Sequence, residues 1–167
     1  MNLHFRWMHP EDIPEILRIE VASFKHPWTE KDILCTMSHD SVVGMVVEID
    51  DKIVGYMVYD KNEDFIDLMN IAVDPEYRHF EIGTMLVNKL ISKVHNKRRE
   101  LVAKVWERNV VAQMFLKKLG FCVVEILRED WDGEYGKDDS YIMMYTESLV
   151  VDAKVEDEKC MGVGCSD

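Results

Sequence analysis

A chain of 167 residues, 47% hydrophobic and 31% charged, is long enough for one sizeable core and too apolar to stay disordered. Its net charge of −12 argues against a nucleic-acid partner, which needs a basic face, and better suits a basic or amine-bearing one. No apolar run approaches the roughly 20 residues of a membrane span, and the first residues carry no basic-then-apolar leader, so a cytoplasmic protein without a membrane partner is expected.

Residues 3, 5 and 7 (Leu, Phe, Trp) alternate with polar neighbours and predict a first strand. Pro10 then opens a helix with acidic Glu11 and Asp12 in its first turn and Ile13, Ile16, Leu17, Val21 and Phe24 at helical spacing. His26-Pro27-Trp28 is a break, after which Thr29 caps a short helix to Met37. Runs 42–49 and 53–59, separated by Asp50-Asp51-Lys52, predict a hairpin. Run 65–73 is apolar enough for a central strand and is closed by Asp74-Pro75. From Ile82 the period turns helical through Met85, Leu86, Leu90 and Val94, ending in basic Lys97-Arg98-Arg99, which suits a helix C-terminus. Run 101–106 is another strand. Asn109 can cap a helix carrying Ala112, Phe115, Leu116 and Leu119, stopped by Gly120. Runs 121–127 and 141–145 predict the last strands, joined by a polar loop with Gly133 and Gly136.

The order is βααβββαβαββ, an α/β (α+β) chain with one domain over 1–147 and an acidic, mobile tail over 148–167. Cys35, Cys122, Cys160 and Cys165 predict reduced thiols; the last pair has a loose metal-like spacing but no nearby histidine, so no metal is expected.

The chemistry is expected where a strand turns into a helix, because unpaired N–H groups and the helix dipole there favour a pyrophosphate. The segment Ile71-Ala-Val-Asp-Pro-Glu-Tyr-Arg78, Gly83, and then Asn109 through Leu119-Gly-Phe121 resembles the GNAT acetyltransferases in order and spacing. His26-Pro-Trp-Thr-Glu-Lys31, Leu68-Met-Asn-Ile-Ala-Val-Asp-Pro75 and Asp139-Ser-Tyr-Ile-Met-Met144 are similar to segments of the ribosomal-protein-alanine type within that superfamily. The match covers roughly residues 3–147.

The resemblance implies a mixed sheet of about seven strands with about four helices, opened between the strands that end near Val73 and Trp106. It implies acetyl-CoA as cosubstrate, its pantetheine arm on main-chain groups of Ile71, Ala72 and Val73. The pyrophosphate would lie on the loop of Arg78, His79, Phe80, Glu81, Ile82, Gly83 and Thr84, and Asn109 would touch the cofactor. It implies direct attack by an amine, most plausibly a peptide or protein N-terminus, with an N–H near Val73 stabilising the oxyanion. Pro27 and Trp28 read either as acceptor-site residues or as a helix-start break with a packed aromatic.

Three positions depart from the family pattern. Glu81 replaces the first loop glycine, Lys104 stands at the general-base position, and Leu116 at the tyrosine that protonates the thiolate. Lys104 is then either a solvated strand residue or a lysine whose burial lowers its pKa enough to act as base. Glu107 would reach the site only through a bulge near Trp106, and Tyr135, Tyr141 and Tyr145 are further candidates. Two classes of function follow: an amine acetyltransferase, or a catalytically weak GNAT-fold module that binds CoA or a peptide.

Overall fold

The computed structural model describes residues 2–95, 99–133 and 136–146. Its elements are β1 (Leu3–Trp7), α1 (Ile13–Ser23), α2 (Glu30–Met37), β2 (Val42–Ile49), β3 (Lys52–Lys61), β4 (Phe65–Val73), α3 (Ile82–Ile91), β5 (Glu100–Trp106), α4 (Val110–Lys118), β6 (Cys122–Gly133) and β7 (Gly136–Tyr145). The seven strands form one sheet in the order β1-β2-β3-β4-β5-β7-β6. Only β4 and β5 run parallel; every other neighbouring pair is antiparallel.

The expected order holds, with three differences of extent. A short 3₁₀ turn at Pro10–Asp12 precedes α1, which places Pro14 in the first helical turn, where its missing N–H costs nothing. Helix α3 ends at Ile91 rather than at the basic cluster; Val94 leaves the helix yet stays 5% exposed because the following turn still tucks it under the sheet. Lys97 and Arg98 lie outside the described residues, as do Tyr135 and the tail over 148–167. The final strands are longer than their apolar runs, since polar residues up to Gly133 and from Gly136 continue the β6–β7 ribbon.

Local chemistry explains the boundaries. Asp50 and Asp51 adopt φ of 50° and 63°, the pair of left-handed residues that a tight two-residue hairpin requires. Thr29 caps α2 reciprocally: its hydroxyl accepts from Asp32 N at 3.2 Å while the Asp32 carboxylate accepts from Thr29 N at 2.8 Å. Asn109 caps α4, its side-chain oxygen accepting from Ala112 N at 3.1 Å.

Each face of the sheet has its own core. Helices α3 and α4 cover Val47, Met57, Tyr59, Leu68 and Leu101 with Leu86, Leu90 and Leu116. Helices α1 and α2 cover Val46, Tyr56, Val58 and Ala72 with Ile16, Ile19 and Ile33.

The feature that positions the site lies in the middle of the sheet. On the β3 side, Tyr59 pairs with Leu68 and Val58 with Asn70, so Met69 is an extra, bulged residue. On the β5 side, β4 pairs only at Phe65↔Glu100, Ile66↔Leu101 and Asp67↔Val102. Beyond Asp67 the two parallel strands part.

The end of β4 is anchored to α1. Asp74, 2% exposed, accepts from Arg18 Nη1 at 2.7 Å and from Glu76 N at 3.1 Å. Burial pushes its carboxyl up, but the Arg18 guanidinium and the Glu76 N–H outweigh that and hold it below the usual aspartate range. A depressed folded value means that its stabilisation is complete above about pH 4 and fades as the pH falls further. Arg18→Ala should cost about 2 kcal/mol, allowing for the half-exposed arginine, and Arg18→Ala/Asp74→Asn should regain part of it. Urea midpoints at pH 7 check this, and equal losses in both variants would show that the arginine acts through packing alone.

Candidate active site at the parting of two strands

From residue 68 of β4 and residue 103 of β5, the facing strand edges have no partner across the gap. Such main-chain groups need partners from elsewhere, and an extended ligand carrying amides can supply them. Ile71, Ala72 and Val73 form the β4 wall. Ile71 and Val73 pack toward the α3/α4 core, whereas Ala72 is buried under α1. The Val73 carbonyl already accepts from Arg78 Nε at 3.1 Å.

The loop after β4 leads into α3. Arg78 folds back, its Nη2 donating to Ser23 Oγ at 3.0 Å, and so ties the loop to the end of α1. His79 and Glu81 both hold positive φ, 67° and 60°. Glu81 is the N-cap of α3 in the left-handed region, and no capping side chain accepts from the first turn, Ile82-Gly83-Thr84. Open N–H groups at a helix start, preceded by left-handed backbone, are a chemistry that binds anions. His79, Phe80 and Glu81 are exposed. Gly83 has a second explanation besides ligand approach: a Cβ there would stand 3.3 Å from Phe115 Cζ and 3.8 Å from Val73 Cγ2, so its absence lets α3 approach α4 and β4. The side-chain oxygen of Asn109 is committed to its helix cap.

On the opposite face, Trp28 is half-buried against the α1/α2 core, and its main-chain N–H donates to Glu20 Oε2 at 2.8 Å. His26 meets Trp106 of β5 edge-on at 6.4 Å. The 26–28 loop therefore bridges from α1 to the C-terminal end of β5. Glu20, 1% exposed, also accepts from Asn70 Nδ2 at 2.5 Å and from the Tyr56 hydroxyl. Burial, then the Glu20 charge, keeps the Tyr56 hydroxyl protonated far above the ordinary tyrosine value. Its position on the apolar stripe of α1, four residues after Ile16, was the signal in the sequence for a buried glutamate.

The substituted positions are now placed. Lys104 is a solvated strand residue: its side chain is 55% exposed, with Nζ 3.1 Å from Asp130 Oδ2. The alternative reading of Lys104 as a buried base is not supported, because more than half of its side chain is open to solvent and its Nζ is paired with Asp130. Leu116 is 3% exposed inside the α3/α4 core. The β5–β7 register runs unbroken through Trp106↔Ser140, so no bulge turns Glu107 toward Lys104's face. Tyr141 and Tyr145 pack against the α3/α4 core. A carboxyl that sequence reading passed over, Asp67, is the last β4 residue paired to β5.

A sheet parted between parallel central strands, with an uncapped helix start at one end and an aromatic loop beside it, is a geometry suited to a transferase that takes a group from an extended, phosphate-bearing carrier. Residues 12–121 match the acetyltransferase (GNAT) family, and the chain belongs to it. The chain is 26% identical over 136 residues to the ribosomal protein bS18-alanine N-acetyltransferase of Salmonella typhimurium, covering 79% of this chain and 89% of the relative. A Bacillus subtilis homologue of that enzyme is 32% identical over 117 residues, 69% of this chain and 78% of the relative. Among solved structures, the ribosomal-protein-S18-alanine N-acetyltransferase of Escherichia coli superposes with a TM-score of 0.78 at 24% identity, over 87% of this chain and 94% of that one. The chain is thus an N-acetyltransferase of a family that uses acetyl-CoA.

The backbone at Glu81 makes a stability prediction. A non-glycine residue in the left-handed region costs about 1 kcal/mol or more. Glu81→Gly should therefore raise the melting temperature by about 3 °C, whereas Glu81→Ala should not. Equal melting temperatures for the glycine and alanine variants in calorimetry would show that position 81 carries no such strain.

Proposed function

We propose that the acceptor is the N-terminal α-amino group of a protein, acetylated in the cytoplasm without a nucleic-acid or membrane partner. The observation that carries this reading is the 26–28 loop, held by Glu20 and set edge-on against Trp106 through His26 at the mouth of the parted strands. It offers an aromatic wall beside the gap rather than a deep small-molecule cavity. The relatives named for alanine N-acetylation of a ribosomal protein support it, as does the net charge of −12, which suits a basic partner. No helix among the described residues is long and apolar enough to cross a membrane.

Proton chemistry favours an α-amine too. An α-ammonium loses its proton near pH 8 and a lysine ammonium near 10.4, so at neutral pH the neutral α-amine is about a hundredfold or more abundant. A site that lacks the family's glutamate at position 104 needs that advantage.

In this reading Ile71, Ala72 and Val73 hold the pantetheine arm. Main-chain N–H groups of the loop over 79–84 hold the pyrophosphate, with Arg78 bracing that loop, and Asn109 lines the cofactor side. Acetyl-CoA supplies the activated thioester. An N–H of β4 polarises its carbonyl, while Pro27 and Trp28 orient the peptide. The residues fit that role through the uncapped start of α3 and the unpaired wall of β4. Glu81 brings an exposed negative charge to the loop. Within about 5 Å of a phosphate at an effective dielectric near 20, that charge would cost on the order of 3 kcal/mol, less when the side chain swings into solvent.

Short peptides with free N-termini, incubated with acetyl-CoA and read by mass spectrometry, test the acceptor. Acetylation is expected at the α-amine and absent from Nα-blocked peptides that carry lysine. Acetylation of lysine alone would overturn the assignment. Trp28→Ala should raise the peptide KM about tenfold and leave acetyl-CoA affinity unchanged by calorimetry. Equal loss of both would make Trp28 a packing residue only.

A further inference from the structure

We propose that Asp67 is the proton acceptor for the incoming amine, replacing from the neighbouring strand the base that position 104 no longer provides. The inference rests on the reading that amine and acetyl group meet where β4 and β5 part. Asp67 is the last residue of β4 with a partner on β5, Val102, and Met69, the bulged residue, follows two positions later. Asp67 therefore stands at the apex of the gap. Ile66 and Leu68 on either side are buried in the α3/α4 core, so Asp67 projects to the opposite face. That is the face of Lys104, whose neighbours Ala103 and Val105 are likewise buried in the α3/α4 core, and of Asn70, which pairs with Val58.

Two charged groups bear on Asp67, and a third holds one of them. Asp60 is its direct cross-strand partner on β3, with a buried Oδ1 that finds no hydrogen-bond partner among the described residues. Lys104 on β5 lies near enough to act on it electrostatically, and Asp130 on β6 holds Lys104 at 3.1 Å. Lys104 is thus committed to Asp130 and makes no direct ion pair with Asp67. Burial, and then Asp60, push the Asp67 carboxyl above the ordinary aspartate range, with Lys104 partly offsetting them. Asp130 is the poorer base: its hydrogen bonds to Lys104 and Ser140 hold it below that range. A general base works best when its pKa is moved toward the working pH, and of the two carboxyls only Asp67 moves that way.

The step balances without a further reactant. Asp67 takes one proton from the ammonium, and the freed amine attacks the thioester carbonyl. The N–C bond forms as the C–S bond breaks. The nitrogen's second proton ends on the CoA sulfur, and Asp67 returns its proton to water.

Asp67→Asn should lower kcat/KM about 100-fold and leave acetyl-CoA affinity, measured by calorimetry, within twofold. It should also hold or raise the melting temperature at pH 7. A carboxyl whose folded pKa is raised stabilises only while protonated, so its charge at neutral pH is a cost that asparagine removes. A purely structural aspartate would not combine slower turnover with undiminished stability.

The neighbours give opposite signs. Asp60→Asn should shift the acid limb of kcat/KM to lower pH, and Lys104→Met should shift it higher, with matching shifts of the Asp67 side-chain carboxyl signal in carbon-13 NMR titration. The kinetic comparison uses whichever amine the parent enzyme acetylates fastest, peptide or small primary amine, so failure of N-terminal peptides alone sinks the acceptor assignment and not this one. Parent-like rates for Asp67→Asn, or neighbour substitutions that leave the acid limb unmoved, overturn the role of Asp67. Absence of transfer to every amine overturns both readings.

Discussion

The structure depends on a ladder that stops. Parallel strands β4 and β5 share only three register pairs before they part. The sheet survives because each strand is held on its other edge. β5 pairs with β7 from Leu101 to Trp106, and β4 pairs with β3 as far as Val73. Met69 is the extra residue that turns β4 at the point of parting. An unpaired main-chain group that loses its water costs about 1–3 kcal/mol, so the gap favours any ligand that brings amides to it. The same break brings together the residues of the two proposals, since Asp67 lies just before it and Ile71 to Val73 just after.

One buried carboxyl fixes the aromatic loop, the proposed acceptor side, to that break. Glu20 of α1 receives the Trp28 main-chain N–H, the Asn70 amide and the Tyr56 hydroxyl, and so joins a helix, a loop and strands β3 and β4. A buried polar hub is costly unless each member is satisfied; here three donors converge on two oxygens. The consequence is geometric. The aromatic loop and the strand beyond the bulge cannot move independently, which is what a site needs when small misplacements of an acceptor amine carry large penalties in rate.

Much of this was legible in the sequence because it was written in local chemistry. Thr29 and Asn109 announce helix starts through side chains that accept from the next turn. The paired aspartates at 50 and 51 mark a turn that needs positive φ. The motif from Ile71 to Gly83 carried the family. What escaped was set by tertiary contacts. Val94 continues the period of α3 after the helix has ended, because burial under the sheet demands an apolar residue whether or not the backbone is helical. The polar half of β6 has no apolar alternation, yet it pairs with β7 as a ribbon. Asp67 sat inside a run read as simply apolar, and its importance appears only once the register places it opposite Asp60 and beside Val102.

The substitutions at positions 104 and 116 have unequal consequences. A thiol with a pKa near 8.5 departs at neutral pH largely without help, so a leucine packed into the core at 116 forgoes little. On the family pattern the loss of a base at 104 weighs more, because an ammonium has no lone pair with which to attack. Lysine at 104 and aspartate at 67 make sense as one arrangement. A glutamate at 104 would add a fourth carboxylate to a row that already holds Asp60, Asp67 and Asp130, raising the pKa of each by mutual repulsion. The lysine instead pairs with Asp130 and leaves Asp67, partly desolvated and repelled by Asp60, as the carboxyl near the gap whose affinity for a proton is increased.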